Sequence, residues 1–566
     1  MNILSRFRLA ALPSAVALAG GGAWAEEAAP QQANAGPIEE VVVVGRLRSS
    51  ATDVVVERLE QEVVVDLLSA EDIQRVGDSD VAAALRRVPG LTLVDNQYVY
   101  VRGLGERYSS TLLNGAMVPS PDLTRNVMPL DIFPTNILDS LAVQKGYSPD
   151  MPAAFGGGNI DIRTKAIPND FVFSIEGGSG WNFESNETTY SATSGDDDWL
   201  GDDDGTRALP AAISQGVLDY RGDFSVANIA DTLQQSQPQL ADSAAVIRAQ
   251  ALNRELGASL DGTTGIQEED VNPDAKLQMT LGNRYFLGAQ ENWEVGGFLL
   301  GSYDNNFRNR QRINRSLNNP ETLFAVTERT VNEVSFTGAA KAGIEWAQEH
   351  SVSASYIFLR NTEEDVNVST FFTQDFQQSD GQRLRNYGTR WEQRELEIVQ
   401  LEGEHELGDM TLETVLPDAF RALEGLRFEW YYSDSTATTD IPNETNFQAE
   451  DQLDPDTLEL QSTALRLSTS SGDFRFTDLE DDVQSYGYDV ILPFYTSDWD
   501  FELSGGFDYS RKSREYFQTQ LFVGTNDPTA DLAGIPGLTA DPAFTSENVL
   551  DPANSFNTEI GGIQTE

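Results

Sequence analysis

From residue 169 onward, apolar and polar residues alternate with a period of two over long stretches. Trp499, Phe501, Leu503, Gly505, Phe507 and Tyr509 fall on one side of such a pattern. Asp500, Glu502, Ser504, Gly506, Asp508 and Ser510 fall on the other. Val334, Phe336, Gly338, Ala340, Ala342, Ile344 and Trp346 form a second stripe, opposed by Glu333, Ser335, Thr337, Lys341 and Glu345. Leu426, Phe428, Trp430 and Tyr432 form a third, and Trp293, Val295, Leu299 and Tyr303 a fourth. Successive side chains of a strand point to opposite faces, so the pattern predicts strands with one apolar face. Residues 50–168 read differently, as a small α+β domain. Ser69 and Asp72 mark one helix start, and Asp80–Val88 is a second helical stretch stopped by Pro89-Gly90. Short strands are expected at Leu91–Val94, Tyr98–Arg102 and Thr111–Leu113, the last meeting the hairpin signal Asn114-Gly115.

Alternation alone also fits a soluble sandwich. The strands, however, reach ten or more residues, about twice the usual length in soluble sheets. Aromatics stand at stripe ends, as in Trp293 with Tyr303 and Trp499 with Tyr509. Gaps alternate between short ones (Gly288–Glu291, Ala347–Glu349, Phe494–Asp498) and long acidic ones. These features predict an antiparallel transmembrane β-barrel of the outer-membrane kind. In lipid such a sheet has to close, because each unpaired backbone group costs several kcal/mol. About nine strands are expected between residues 171 and 517, an odd number that leaves the chain end on the long-loop side. Gly561–Glu566 reads as no amphipathic strand, so the barrel is expected to be incomplete in these 566 residues.

The first 25 residues change the compartment. Arg6 and Arg8 precede an apolar run, Leu9–Ala19, and then Ala23-Trp24-Ala25, which together read as a secretory signal peptide. Charge is lopsided: 90 Asp plus Glu against 38 Lys plus Arg give −52, which would repel nucleic acid. With no Cys and only His350 and His405, thiol catalysis and Cys- or His-pair metal sites are excluded. His350 is placed in a short turn and His405 on a strand, with no nucleophile assigned to either, so no enzyme activity or cofactor is expected.

The run Val101-Arg102-Gly103-Leu104-Gly105-Glu106-Arg107-Tyr108, followed by Leu112-Leu113-Asn114-Gly115 and Pro119-Ser120-Pro121-Asp122, resembles the plug domain of TonB-dependent outer-membrane receptors. The resemblance continues through Pro129–Pro134 and Ser140–Gly146. It ends on Ala154-Phe155-Gly156-Gly157-Gly158-Asn159-Ile160-Asp161-Ile162-Arg163-Thr164-Lys165. Ile38, Glu39, Glu40, Val41, Val42, Val43, Val44 and Gly45 are similar to the TonB box, in a flexible segment 26–49. The resemblance implies a plug over residues 50–168 and a partial barrel over 169–566, about nine of an expected 22 strands. It further implies import of a scarce nutrient, an iron-siderophore by default, energised by TonB and its inner-membrane complex. The location is then the bacterial outer membrane, in contact with lipid and lipopolysaccharide.

Read from the residues, Val41–Val44 in a flexible lead offers a free edge for strand addition to a partner. Gly156-Gly157-Gly158 lacks the Lys-Ser or Lys-Thr of a phosphate loop and is expected to serve close backbone packing. Gly103-x-Gly105 lacks a third glycine at dinucleotide spacing and reads as a turn. Arg107, Tyr108 and Arg125 are candidate ligand contacts in irregular plug segments. Asp196–Gly205 carries six aspartates, but a calcium loop starting at Asp196 has Leu200 at its fifth position and Arg207 at its twelfth. A solvated or lipopolysaccharide-facing loop is expected there. The alternative to a transporter is a non-transporting outer-membrane surface protein, adhesive or structural, with calcium-binding acidic loops.

Overall fold

The structure is a computed structural model. It describes residues 64–565 except 150, 152–154, 184–187, 193–194, 261–264, 271–272, 289–291, 416–417, 496–499 and 528–543. The expected signal peptide, Ile38–Gly45 and Trp499 lie outside the described residues.

Local signals build the plug as read. β1 (Val65–Ser69) runs into α1 (Ala70–Val76). Ser69 Oγ accepts from Asp72 N at 3.1 Å, and Gly77 closes the helix in the left-handed region. Asp80 caps α2 (Val81–Leu85) by accepting from Ala83 N at 2.7 Å. β2 (Leu91–Val94) and β3 (Tyr98–Val101) pair as a hairpin. β4 (Ser109–Leu113) turns into β5 (Ala116–Met117) through Asn114 and Gly115, at φ 48° and 81°. Both positive angles are what a two-residue hairpin turn needs. β6 (Leu138–Gln144) and β7 (Gly158–Thr164) complete a five-stranded sheet in the order β1-β6-β7-β4-β5, with β4 and β7 parallel. Ile73, Val81, Leu85, Phe133, Leu138, Leu141, Ile160 and Ile162 form its core. The triple glycine packs closely, as expected. A Cβ on Gly158 would lie 2.5 Å from Val101 Cγ2, and one on Gly156 3.0 Å from the Tyr108 carbonyl.

The wall starts at β8 (Val172–Gly180). A long excursion follows: β9 (Thr188–Ala192), α3 (Ala211–Tyr220), α4 (Val226–Ser236), α5 (Asp242–Ala258) and β10 (Ile266–Asp270). Long strands then succeed one another: β11 (Asp274–Leu287), β12 (Trp293–Arg315), β13 (Phe324–Trp346), β14 (His350–Phe371) and β15 (Gln382–Glu406). After α6 (Asp409–Thr414) come β16 (Arg427–Leu453), β17 (Leu460–Leu465), β18 (Ser468–Tyr495) and β19 (Asp500–Thr525). α7 (Ser546–Leu550) and β20 (Asn557–Thr565) end the described chain.

The wall is antiparallel in the order β8-β11-β12-β13-β14-β15-β16-β18-β19-β20, with β17 on β16, and its two ends do not meet. Ten described strands therefore line its path: the nine expected between residues 171 and 517, β8, β11–β16, β18 and β19, and then β20 beyond them. Gly561–Thr565, read as no strand, belongs to β20 and pairs with β19. The Gly-Gly pair hides the alternation there; ladder pairing along Phe517–Gly524 supplies what side-chain pattern does not. His350 is likewise the first residue of β14 and not part of the turn.

One face of the wall carries an apolar band. At its turn end Trp293, Trp346, His350, His405 and Phe428 stand opposite one another in register. At its other end apolar side chains give way to polar ones on six strands: Tyr303 to Asn305, Phe358 to Arg360, Val399 to Glu397, Tyr432 to Asp434, Tyr486 to Gln484, Tyr509 to Arg511. Trp293 to Tyr303 spans about 33 Å along the strand, or about 25 Å at a 40° tilt, the height of a membrane-facing band. Val334 departs from its expected place, because it is buried beyond the band under the excursion.

The opposite face holds the plug. Phe298, Leu300, Ile357, Leu359, Leu396, Ile398 and Ala437 merge with the plug core. Polar anchors surround that patch. Gln400 Nε2 donates to Leu113 O and Asn114 Nδ2 to Gln400 Oε1, both at 2.9 Å. Asn136 Nδ2 reaches Ser302 Oγ at 2.8 Å. The connection to β8 lies in a slot of small residues, where Cβ atoms on Gly282 and Gly296 would meet Pro168 at 2.6 Å and Ile167 at 2.5 Å.

Gly158→Ala should destabilise the plug by about 1–3 kcal/mol, because Val101 is buried and cannot withdraw. Urea unfolding of Gly158→Ala, Val101→Ala and the double variant should show a double-variant loss smaller than the sum of the single losses.

Candidate functional site

Two features of the plug surface carry the site. The first is the β2–β3 hairpin with the loops beside it. Tyr98 Oη donates to the Asp122 carboxylate, and the Arg125 guanidinium lies 4.4 Å above the Tyr98 ring while pairing with Asp95 at 3.0 Å. Burial and the Asp122 bond push the Tyr98 phenol well above its ordinary value. The hydrogen bond from Tyr100 holds the Glu106 carboxyl below its usual value, and Arg125 and Arg107 add to the effect. Arg107 and Arg125, far apart in sequence, thus bear on one carboxylate. Tyr108 is 46% exposed beside them in the chain, its backbone against Gly156. The structure gathers charged and aromatic groups here; it holds no ligand.

The second feature is a cavity of about 290 Å³ between plug and wall, lined by Asp80, Asp131, Asn136, Asn306, Glu333 and Asn361 among others. Asp131 Oδ2 accepts from Gln97 Nε2 at 2.9 Å and Arg394 Nη2 at 3.2 Å, but its Oδ1 is buried without a partner. The same holds for Oδ1 of Asn136 and Asn306. Buried acceptors without donors are costly, at about 1–3 kcal/mol each. A group entering this cavity is favoured if it donates hydrogen bonds.

Next to these features the plug loop Ser120–Asp122 is held to the wall. Ser120 N donates to the fully buried Asp481 at 2.9 Å, and Lys512 pairs with Asp481 at 2.8 Å. Arg514 donates to Ser120 O at 3.2 Å and also to Asp122 O, while Thr439 Oγ1 donates to Pro121 O. Sequence reasoning singled out none of Asp481, Lys512, Arg514 or Arg394. Their one available signal was strand parity, which puts Asp481 on the plug side and Asp482 on the other.

The acidic stretch is open at some residues and tied down at others: Asp196, Asp197 and Asp204 are exposed, whereas Asp198, Asp202 and Asp203 are half-buried. Asp198–Leu200 forms a short helical turn, and Arg207 pairs with Asp198 at 2.6 Å and Asp203 at 3.0 Å. The Arg207 guanidinium lies 4.3 Å over the Trp391 ring. Burial opposes its charge, but Asp198 and other carboxylates more than offset this and raise its pKa. Hydrogen bonds from Thr206 and the Asp196 backbone pull Asp204 down to about 2. Arg207, at the twelfth position, supplies the positive charge a calcium ion would bring. Among the described residues no cluster of three or more acidic or histidine groups is arranged to hold a metal. His405 accepts from Trp430 Nε1 at 3.1 Å and His350 stacks on Trp346, so both histidines are built into the aromatic end of the band.

A small α+β domain is thus seated on one face of a long antiparallel wall. Residues 57–159 match the family model described as the TonB-dependent Receptor Plug Domain. That match covers the small α+β domain, and a large antiparallel sheet follows it in the chain. Among solved structures it is similar to the siderophore receptor PiuA from Acinetobacter baumannii, at 11% identity, TM-score 0.28, over 82% of this chain and 64% of that one. It is also similar to the ferripyoverdine receptor of the outer membrane of Pseudomonas aeruginosa, at 8% identity, TM-score 0.31, over 82% and 55%. The chain thus spans under two thirds of the length of either. A search of the curated proteins finds no match.

Arg207→Met would leave Asp198 and Asp203 buried without a counter-charge, at a cost of about 3–5 kcal/mol. Limited proteolysis should then cut between residues 195 and 260 at least tenfold faster, whereas a calcium chelator should leave the unsubstituted protein's cleavage rate unchanged.

Proposed function

We propose that this chain is the N-terminal part of an outer-membrane transporter that imports a small or medium nutrient with energy from TonB. The observation that carries this reading is the two-sidedness of the wall: an apolar band on one face and a plug held by apolar and polar contacts on the other. A sheet of a soluble protein has no need of an exposed apolar band about 25 Å high. No described helix is long and apolar enough to cross a membrane.

In this mechanism the ligand meets the plug apex from outside, at Arg107, Tyr108 and Arg125 and at the cavity beside Asp131. Ligand contacts compete with the bonds of Asp122, Arg125 and Asp131 and so bias the plug. Ile38–Gly45 then pairs with TonB as an added strand in the periplasm. A ferric siderophore is the default cargo, and lipid and lipopolysaccharide surround the wall. No catalytic residue, cofactor or nucleic-acid partner is proposed. A non-transporting surface protein is the weaker reading, because it has no use for a plug anchored by Asp481, Arg514 and Gln400.

Deleting residues 38–45 from the full-length protein should abolish energised uptake and leave ligand binding intact; unchanged uptake would refute the role of that segment. Arg125→Ala should weaken ligand binding by about tenfold, the loss expected for one charge-assisted hydrogen bond. Titration with the cargo that restores growth of a deletion strain checks it.

A further inference from the structure

We propose that the turn Asp198–Leu200 is a membrane-surface anchor, with the Trp199 indole seated in the headgroup layer of the outer leaflet. The proposal rests on the reading of the wall as lipid-facing and adds a contact that reading does not contain. Tyr303 is the last apolar residue of its stripe on β12 before the first polar one, Asn305, and its hydroxyl donates to Trp199 O at 2.6 Å. Thr362 Oγ1 on β14 donates to Gly201 O at 2.5 Å, and a Cβ on Gly201 would lie 3.1 Å from Val334 on β13. Asp202 pairs with Arg360 at 3.2 Å, and Asp203 N donates to Gln393 on β15 at 3.2 Å.

All five wall residues have the parity of the apolar band and lie at or just beyond its polar end. Residues 199–203 therefore cross β12 to β15 along the line where lipid tails give way to headgroups. The turn is held stiff by Arg207 on Asp198 and Asp203. Of its two large apolar side chains Leu200 is half-buried, whereas Trp199 is 61% exposed. An indole needs an apolar body and a polar rim, and that boundary is where tryptophan concentrates in membrane proteins. A tryptophan left in water on a stiff turn, continuous with an apolar band, exposes apolar area to no purpose. A lipid surface covers it.

These 566 residues hold no cysteine, so once any cysteine elsewhere in the full-length protein is replaced by serine, a single introduced thiol can be labelled without background. Trp199→Cys, Leu299→Cys within the band and Leu317→Cys, 99% exposed in a loop beyond it, are made in the full-length protein. Each is labelled with one fluorophore and placed in phosphatidylcholine vesicles carrying a headgroup nitroxide. The label at 199 should be quenched by the nitroxide at least threefold more than the label at 317, and be less accessible to aqueous iodide. Equal iodide quenching at 199 and 317, with lipid quenching retained at 299, overturns the anchor alone. Loss of lipid quenching at 299 as well overturns the lipid-facing wall and the anchor together.

Discussion

Hydrocarbon offers backbone amides no hydrogen-bond partner, and on the proposed reading of the wall that constraint organises this chain. A segment with a band about 25 Å high facing lipid has to satisfy its N–H and C=O groups within the sheet. The ladders do so almost without interruption, from Leu287 paired with Trp293 to Gly524 paired with Asn557. Once the sheet is fixed, side-chain parity sorts everything else. One face takes the apolar band, and the other takes the plug. Where register shifts occur on β16, between Ile441 and Glu444, they fall beyond the band, outside the hydrocarbon. The irregularities are confined to the region where water can repair them.

Plug and wall join by two kinds of contact with different tolerance for motion. The apolar patch of Leu300, Leu359, Leu396 and Ile398 holds by area and has no preferred direction. The anchors at Asp481, Arg394, Gln400 and Ser302 are directional and can exchange with water at modest net cost, about 0.5–1.5 kcal/mol each when neutral. Such an interface keeps the plug seated by area, while its single polar contacts can be exchanged one at a time.

Local signals made the plug legible in the sequence. Ser69, Asp80 and Asn114-Gly115 each act within four residues, and the structure places a cap or turn at each. The stripes were legible because lipid demands an apolar face irrespective of tertiary context. The excursion between β8 and β11 was not, because its stability is long-range. Ile213, Phe224 and Leu256 pack with Val366, Val368, Phe474 and Phe476 of distant strands. The aspartates look solvent-bound until Arg207 and Arg360 are brought to them. The same reason hid the continuation of the wall's outer face above the band, where protein rather than lipid covers the apolar residues.

Among the described residues β1 sits at the rim of the plug sheet and is bonded to β6 alone, with Lys145 and Asp66 pairing across that seam. The plug's other extremity is wedged by Ile167 and Pro168 into the glycine slot. Traction applied upstream of Val65 therefore loads the outermost ribbon first, while the far extremity stays pinned. The five residue pairs of that seam can part in succession without tearing β6 from β7. Mechanically the domain is a zip with its slider on the side where the chain enters.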